Sequence, residues 1–499
     1  MEFGATLVIL AAAILACLLS SKISTWLNMP TLLFFLGVGM LFGSEGIGRL
    51  SFDNADLANR IGSVAMAFIL FSGGFDTRWK SVRPVLLSSG ILASLGVFLT
   101  ALFVGLFCYY AMRLLVPGIT VSFAWCFLLG SIISSTDAAA VFAILRSHRV
   151  SLRGQLQPLL EFESGSNDPM AAFLTIFMVQ TVLAESSGAG ALPSWHYLSI
   201  IPWFFIKMSL GIIGGLAFGR AAVWLYNQID FEYDGLYYVL AFVSVVLTYA
   251  GIELIGGNGF MAVYVCGMVM GNGKFIYHNG IGKFSDGFAW LMQVVLFGML
   301  GLLSSPRQIW EVKWIGLAVA AFLMLLARPA TIFICLLGSK FKLAERTLIS
   351  WVGLRGGAPI MLATFPLMNR ISNDSLMFHI VFFIVISSVA IQGMSIMTLA
   401  RFLHLDLPLR KTPRVPLSFE NTGTMDASSR QFVCDERADR KTLAELGLPP
   451  GALVMLIRRE GSFLIPQGNT ILQKGDCLMI MGADKALEQS ALLLQEKEG

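Results

Sequence analysis

Residues 162–175 read FESGSNDPMAAFLT, in a setting that is otherwise apolar, with PLLE before and IFMVQTVLA after. A charge at bilayer depth costs roughly 3 kcal/mol on insertion scales, so Glu163 and Asp168 need a use. On a helix Glu163 and Asn167 share a face, as do Ser164 and Asp168, because positions four apart align. The two carboxylates, five positions apart, then flank one broad polar face, about 140° around the axis. Pro169 is expected to disrupt the backbone ladder and free a carbonyl in the preceding turn. A carboxylate, an amide, a hydroxyl and a freed carbonyl make an oxygen-rich site, suited to a hard monovalent cation or to a proton held on Asp168. Polar side chains also join helices to one another in membranes. Two ionisable groups and an amide within six residues of a span point instead to function.

The rest of the chain agrees with a membrane setting. Its 499 residues are 56% hydrophobic and 13% charged, with a mean hydropathy of +0.74, whereas a soluble domain is about 25% charged. The net charge of +4 gives no reason to expect nucleic-acid binding. The seven Cys scatter through apolar runs or the tail with no metal-site spacing, so they read as small buried hydrophobes. Residues 5–20 are apolar, but no Lys or Arg precedes them, which marks a retained first helix rather than a signal peptide. Scanning for about 20 mostly apolar residues gives about thirteen candidate spans between residues 4 and 403. Alternate loops are rich in Lys and Arg (Arg78, Lys80, Arg83; Arg146, Arg149, Arg153; Lys340, Lys342, Arg346). By the positive-inside rule these are cytoplasmic, so the N-terminus is expected outside and the C-terminus inside.

Two spans carry breaks at their middles. In FLLGSIISSTDAAAVFAIL (127–145) the break is SSTD, and in ISWVGLRGGAPIMLATFPL (349–367) it is GLRGGAP. Breaks at corresponding places in two halves of a chain point to a midplane binding site between inverted repeats. Thr136 or Ser135 is expected to cap the half-helix AAAVFAIL, with Asp137 at its positive dipole end. Arg355 is expected near a half-helix C-terminus. Arg328, in MLLARPATIF, lies mid-span and needs a partner. Glu163 is the obvious one, with Arg355 as competitor for it. The two acids of the opening stretch then have different jobs, Glu163 structural and Asp168 carrying substrate. Lys207 and Arg220 also fall inside a span; snorkelling accounts for Arg220.

Near residue 406 the composition changes. PLRKTPRVPLSFENTGTMDASSR reads as a linker. After it, RKTLAELGLPPG reads as a short helix ended by Gly447, and ALVMLIRRE, FLIP and DCLMIMGA read as three strands, the first two joined as a hairpin. So small a module has one small core and is expected to dimerise or bind something.

There is no phosphate-binding GxxxxGK[ST] loop, no TVGYG filter, no HExxH and no Arg-rich span, so ATP-driven transport, potassium-type channels and zinc hydrolysis lose their usual signatures. The order and spacing of STDAAAVFAIL (135–145), ESGSNDP (163–169), ARP (327–329) and GLRGGAP (353–359) resemble the bacterial monovalent cation:proton antiporters of the NhaP type, over essentially all of residues 1–405. The resemblance implies that Asp168 is the carboxylate shared by cation and proton. It also implies that Thr136, Ser164 and Asp168 contact the ion, and that Glu163 pairs with a buried Arg. Asn167–Asp168 looks like the family's ND signature, which goes with electroneutral exchange. Ala138 stands where other members have Pro. Residues 431–490 are similar to the TrkA-C (RCK-C) regulatory domain, a dimeric cytoplasmic sensor of a small ligand, in some relatives a nucleotide. That domain goes with potassium channels and potassium/proton antiporters, which implies K+ rather than Na+.

The expectation is therefore an all-α polytopic membrane protein of about thirteen helices, with inverted repeats and two crossing broken helices, plus a small cytoplasmic α+β domain. Residues 1–405 would form the transmembrane unit, 406–430 a linker and 431–499 the regulatory domain. The function expected is secondary K+/H+ exchange in the inner membrane, setting cytoplasmic pH and K+, by a homodimer with no enzymatic activity, no cofactor and no nucleic-acid partner. Na+/H+ exchange and a cation channel gated by the tail are the alternatives. The ion site is expected at Asp168, Asn167, Ser164, Thr136 and Asp137, and the structural ion pair among Glu163, Arg328 and Arg355.

Overall fold

In lipid every backbone N–H and C=O must be satisfied within its own segment, so long apolar runs become helices. The computed structural model describes residues 3–27, 30–50, 52–115, 121–148, 150–186, 195, 198–408, 428–435, 438–459 and 462–494. These divide into two units, Met1–Gly273 with Gly282–Leu409, and Lys274–Ile281 with Arg410–Gly499. The helices of the first are, in order, α1 Phe3–Leu27, α2 Thr31–Phe42, α3 Ala55–Asp76, α4 Trp79–Leu114, α5 Phe123–Ile132, α6 Ala138–Ser147, α7 Leu156–Ser186 and α8 Ile200–Gln228. They continue as α9 Gly235–Leu254, α10 Gly259–Gly271, α11 His278–Leu303, α12 Lys313–Cys335, α13 Leu343–Trp351, α14 Gly357–Met368 and α15 Asp374–Phe402. Among the described residues, eight helices are long and apolar enough to cross a membrane, namely α3, α4, α7, α8, α9, α11, α12 and α15. The short apolar helices α5, α10 and α14 lie between them, and α2 precedes them.

A repeated pattern organises the unit. The series α4, α5/α6, α7 and the series α12, α13/α14, α15 each consist of a long helix, a broken helix and a long helix. The first helix of each series contains one π-helical turn, at Leu92–Gly96 and at Leu323–Ala327. Such turns are rare and concentrate at functional sites. One turn beyond them the two helices meet, where Thr100 Oγ1 donates to Thr331 Oγ1 at 3.3 Å.

Small residues set the helix spacing. A Cβ on Gly267 or Gly271 of α10 would strike the carbonyls of Phe71 or Phe75 on α3. Gly211, Gly215 and Gly219, one turn apart on α8, face α10 in the same way. Without a hydrophobic force between helices in lipid, such close backbone approach is what holds them. Of the two glycines singled out in the sequence, Gly215 packs on α10 and Gly214 on Ile252 of α9.

Two short strands, β1 Val150–Leu152 and β2 Asp406–Pro408, pair antiparallel with Val150 opposite Pro408. The head of the predicted linker thus forms structure with the loop that follows α6, and residues 409–427 lie outside the described residues.

In the second unit β3 Ser428–Val433, β4 Leu453–Arg459, β5 Ser462–Leu464 and β6 Cys477–Gly482 form one antiparallel sheet in the order β3-β6-β4-β5. α16 Asp484–Leu494 completes a core of Phe432, Ile457, Leu478, Ile480 and Leu487. The predicted short helix at RKTLAELG is instead a run of turns. Thr442 Oγ1 accepts from Glu445 N–H and the Glu445 carboxylate accepts from Thr442 N–H, which is a capping box with no helix grown from it. Gly447, at φ +60, ends it.

Candidate functional site

The broken helices meet at their breaks. Asp137 N–H donates to the Leu354 carbonyl at 2.7 Å, joining the extended residues between α5 and α6 to those between α13 and α14. Four half-helix ends thus converge in the interior, and each needs a counter-charge or a hydrogen-bond partner. Asp137 is the N-cap of α6, accepting from Ala140 N–H at 3.1 Å. Its carboxylate also lies where a Cβ on Gly356, the residue before α14, would have to go, so one carboxylate faces the positive ends of both α6 and α14. At the opposite polarity Arg355 Nη1 donates to the Ser135 carbonyl beyond α5 at 2.6 Å. Gln392 Nε2, from α15, donates to the Trp351 carbonyl that ends α13 at 2.9 Å. The expected cap at Thr136 or Ser135 is therefore corrected to Asp137.

α7 crosses this junction and runs unbroken through Pro169, so the predicted disruption there does not end the helix. The Pro169 carbonyl itself accepts a further bond, from Asn258 Nδ2 at 2.9 Å. Ser164, Asn167 and Asp168, spaced three and four apart, face the α5/α6 break. Ser164 Oγ donates to the Thr136 carbonyl at 2.8 Å and accepts from Ala138 N–H at 2.9 Å. Asn167 Nδ2 donates to Thr136 Oγ1 at 2.6 Å. Asp168 senses the Asp137 charge and the Ser135 hydroxyl. Its Oδ1 is enclosed and has no hydrogen-bond partner among the described residues, as is also true of Ser135 Oγ.

Glu163, on the adjoining face of α7, bonds Arg328 Nη2 of α12 at 2.5 Å, with the two side chains only 1% and 3% exposed. Arg355 is equally buried and close enough to sense both charges. It makes no ion pair within 4 Å with Glu163, so the predicted competition between the arginines resolves to Arg328. Gly353 makes room for this, since a Cβ there would lie 2.8 Å from Arg328 Nε. Asp168 and Asp137 are only half-buried, so among these acids Glu163 is sealed and neutralised while Asp168 keeps accessible surface.

The eight residues expected at the ion site and in the ion pair thus fall at one crossing, and Lys207 and Arg220 do not. Asn258 and Gly356 went unrecognised, although both stand in Gly-rich breaks, GGNG and GLRGGAP, and Gly-rich breaks in membrane helices mark close backbone approach.

A profile of the family described as sodium/hydrogen exchanger, transmembrane, matches residues 9–402, and one described as the TrkA-C domain matches residues 434–494. The chain is 34% identical over 496 residues to the K(+)/H(+) antiporter NhaP2 of Shewanella sp. (strain ANA-3), across 98% of this chain and 83% of that protein. It is 34% identical over 481 residues to the K(+)/H(+) antiporter NhaP of Alkalimonas amylolytica, across 95% and 81%. The solved structure of the sodium proton antiporter MjNhaP1 from Methanocaldococcus jannaschii at pH 8 matches with a TM-score of 0.66 at 22% identity, over 81% of this chain and 99% of that one. That is a likeness of fold.

Proposed function

The chain belongs to the sodium/hydrogen exchanger family, and on that premise we propose that it exchanges K+ for H+ one for one across the inner membrane, with Asp168 as the shared carrier. The observation that carries this reading is the division of labour among the acids. Glu163 is held by Arg328 and Asp137 is occupied at two helix N-termini. Of the three, only Asp168 combines accessible surface with an enclosed, unpartnered oxygen. An ionised carboxylate in a low-dielectric site is costly, and either a proton or a dehydrated monovalent cation relieves that cost. The two compete for the same oxygens, beside the polar side chains of Ser164, Thr136 and Asn167. The neutralised forms cross by alternating access and the bare charge does not, which couples the fluxes. One carboxylate carries one unit charge in each direction, so the exchange is electroneutral.

K+ is favoured by the two relatives named K(+)/H(+) antiporters and by the TrkA-C match. The loop distribution of Lys and Arg supports thirteen spans, with the N-terminus outside and the TrkA-C unit in the cytoplasm. There that unit would sense a small ligand such as a nucleotide, in a homodimer that regulates cytoplasmic pH and K+.

The test is made in proteoliposomes with a trapped pH dye and an imposed pH gradient. K+ should dissipate the gradient at a rate unchanged when valinomycin clamps the membrane potential. Equal rates with Na+ would overturn the assignment of substrate, and a rate set by the clamp would overturn electroneutrality. Proton movement with no added cation of any kind responding would overturn exchange itself.

A further inference from the structure

The exchange site leaves Lys207 of α8 without a role. It lies seven residues beyond Ile200, roughly 10 Å into the helix at 1.5 Å per residue. Among the described residues no carboxylate lies within 4 Å of its ammonium. Lys207 forms part of the wall of a cavity of about 510 Å³ between α7, α8 and the corner joining α9 to α10. The wall includes the aromatic side chains Phe173, Phe177, Trp203 and Phe260. Its second charge is Glu253, whose Oε1 is fixed by Gly259 N–H at 2.9 Å and which senses Lys207 across the cavity. A cation and an anion are thus held apart in one apolar chamber.

The chamber lies at one end of the helices, where Trp195 is 70% and Trp203 50% exposed, as tryptophans at the level of lipid headgroups are. Near it along the same helices, Ile201, Phe205, Ile206 and Leu254 are exposed apolar side chains, as befits a surface against acyl chains. A ligand that fits has a negative group for Lys207, a compact cation for Glu253 and the aromatic faces, and a long apolar remainder. We propose that this cavity binds a bilayer phospholipid with a primary-ammonium headgroup, its phosphate on Lys207 and its ammonium on Glu253. The floor of the cavity includes Asn258, which holds the Pro169 carbonyl next to Asp168, so an occupied headgroup site braces the helix that carries the exchange carboxylate.

The full-length protein, delipidated in detergent, is titrated with phosphatidylethanolamine, phosphatidylcholine and phosphatidylglycerol, and bound lipid is counted by native mass spectrometry. Phosphatidylethanolamine should be retained about fivefold over the other two, the scale of one charge-assisted contact. Lys207→Met should lower the retention of all three lipids, and Glu253→Gln should equalise the ethanolamine and choline lipids. Because Glu253 also holds the start of α10, a melting curve accompanies that variant, and Lys207→Met and Trp203→Ala probe occupancy of the cavity without touching that contact. Equal retention of all three lipids by the wild type would overturn the proposal, as would a preference for phosphatidylglycerol, or a retention of phosphatidylethanolamine untouched by Lys207→Met. Displacement of the bound lipid by soluble phosphoethanolamine would replace the bilayer lipid with a soluble zwitterion and equally overturn it.

Discussion

Asp168 and Glu163 are one helical turn and a third apart and differ by one methylene, yet their surroundings assign them opposite tasks. Glu163 meets a guanidinium and is closed off; among the described residues Asp168 has no cation beside it, leaves one oxygen without a hydrogen-bond partner and keeps accessible surface. Asp168→Asn removes the charge at constant shape, so exchange should fall to the liposome background while the melting temperature stays within the narrow range of a neutral surface change, about 0.5 kcal/mol. Residual coupled exchange in that variant would remove Asp168 from the carrier role. Arg328→Ala has the reverse signature. It leaves Glu163 buried and unpaired, a loss of about 3–5 kcal/mol, read as a lower melting temperature and yield. Adding Glu163→Gln to it should recover part of that loss; a double variant no better than the single would show that the pair is not what the arginine stabilises.

At the scale of elements the crossing depends on residues too small to obstruct it. Gly356→Ala places a methyl group where the Asp137 carboxylate now stands, so Asp137 must move and the cap on α6 weakens. The expected stability cost is that of a lost cap, about 1 kcal/mol, while exchange should slow by tenfold or more because both half-helix ends lose their counter-charge. The check is parallel transport and thermal unfolding; equal, small effects on both would mean that the crossing tolerates displacement of Asp137. The breaks themselves were legible, because a polar or Gly-Pro interruption in a span has few other readings. The identity of the cap was not, since Ser135, Thr136 and Asp137 are all good N-caps and only the folded structure shows that Asp137 Oδ1 accepts from Ala140 N–H while Asp137 N–H is taken by Leu354 O.

For the whole molecule, the two units are separable in their contacts, and each has its own core. If the tail regulates rather than builds the exchanger, deleting residues 417–499 should leave exchange in place and abolish its response to small ligands such as nucleotides. Loss of assembled protein after the deletion would instead make the tail a folding element.

The amino-acid sequence by itself determined the membrane setting, the helical character and which polar residues interrupt the apolar spans. Hydropathy, the placing of Lys and Arg and the interruption of two spans are local properties, written into consecutive residues. It also brought ESGSNDP, STD, ARP and GLRGG into consideration together. What it left open were choices between equivalents: which arginine meets Glu163, which oxygen caps α6, whether Pro169 breaks α7. Each depends on groups up to 220 positions away along the chain, as between Arg355 and Ser135. Such pairings are decided by which buried charges and backbone groups can satisfy one another once the helices are packed, and that is settled only in three dimensions.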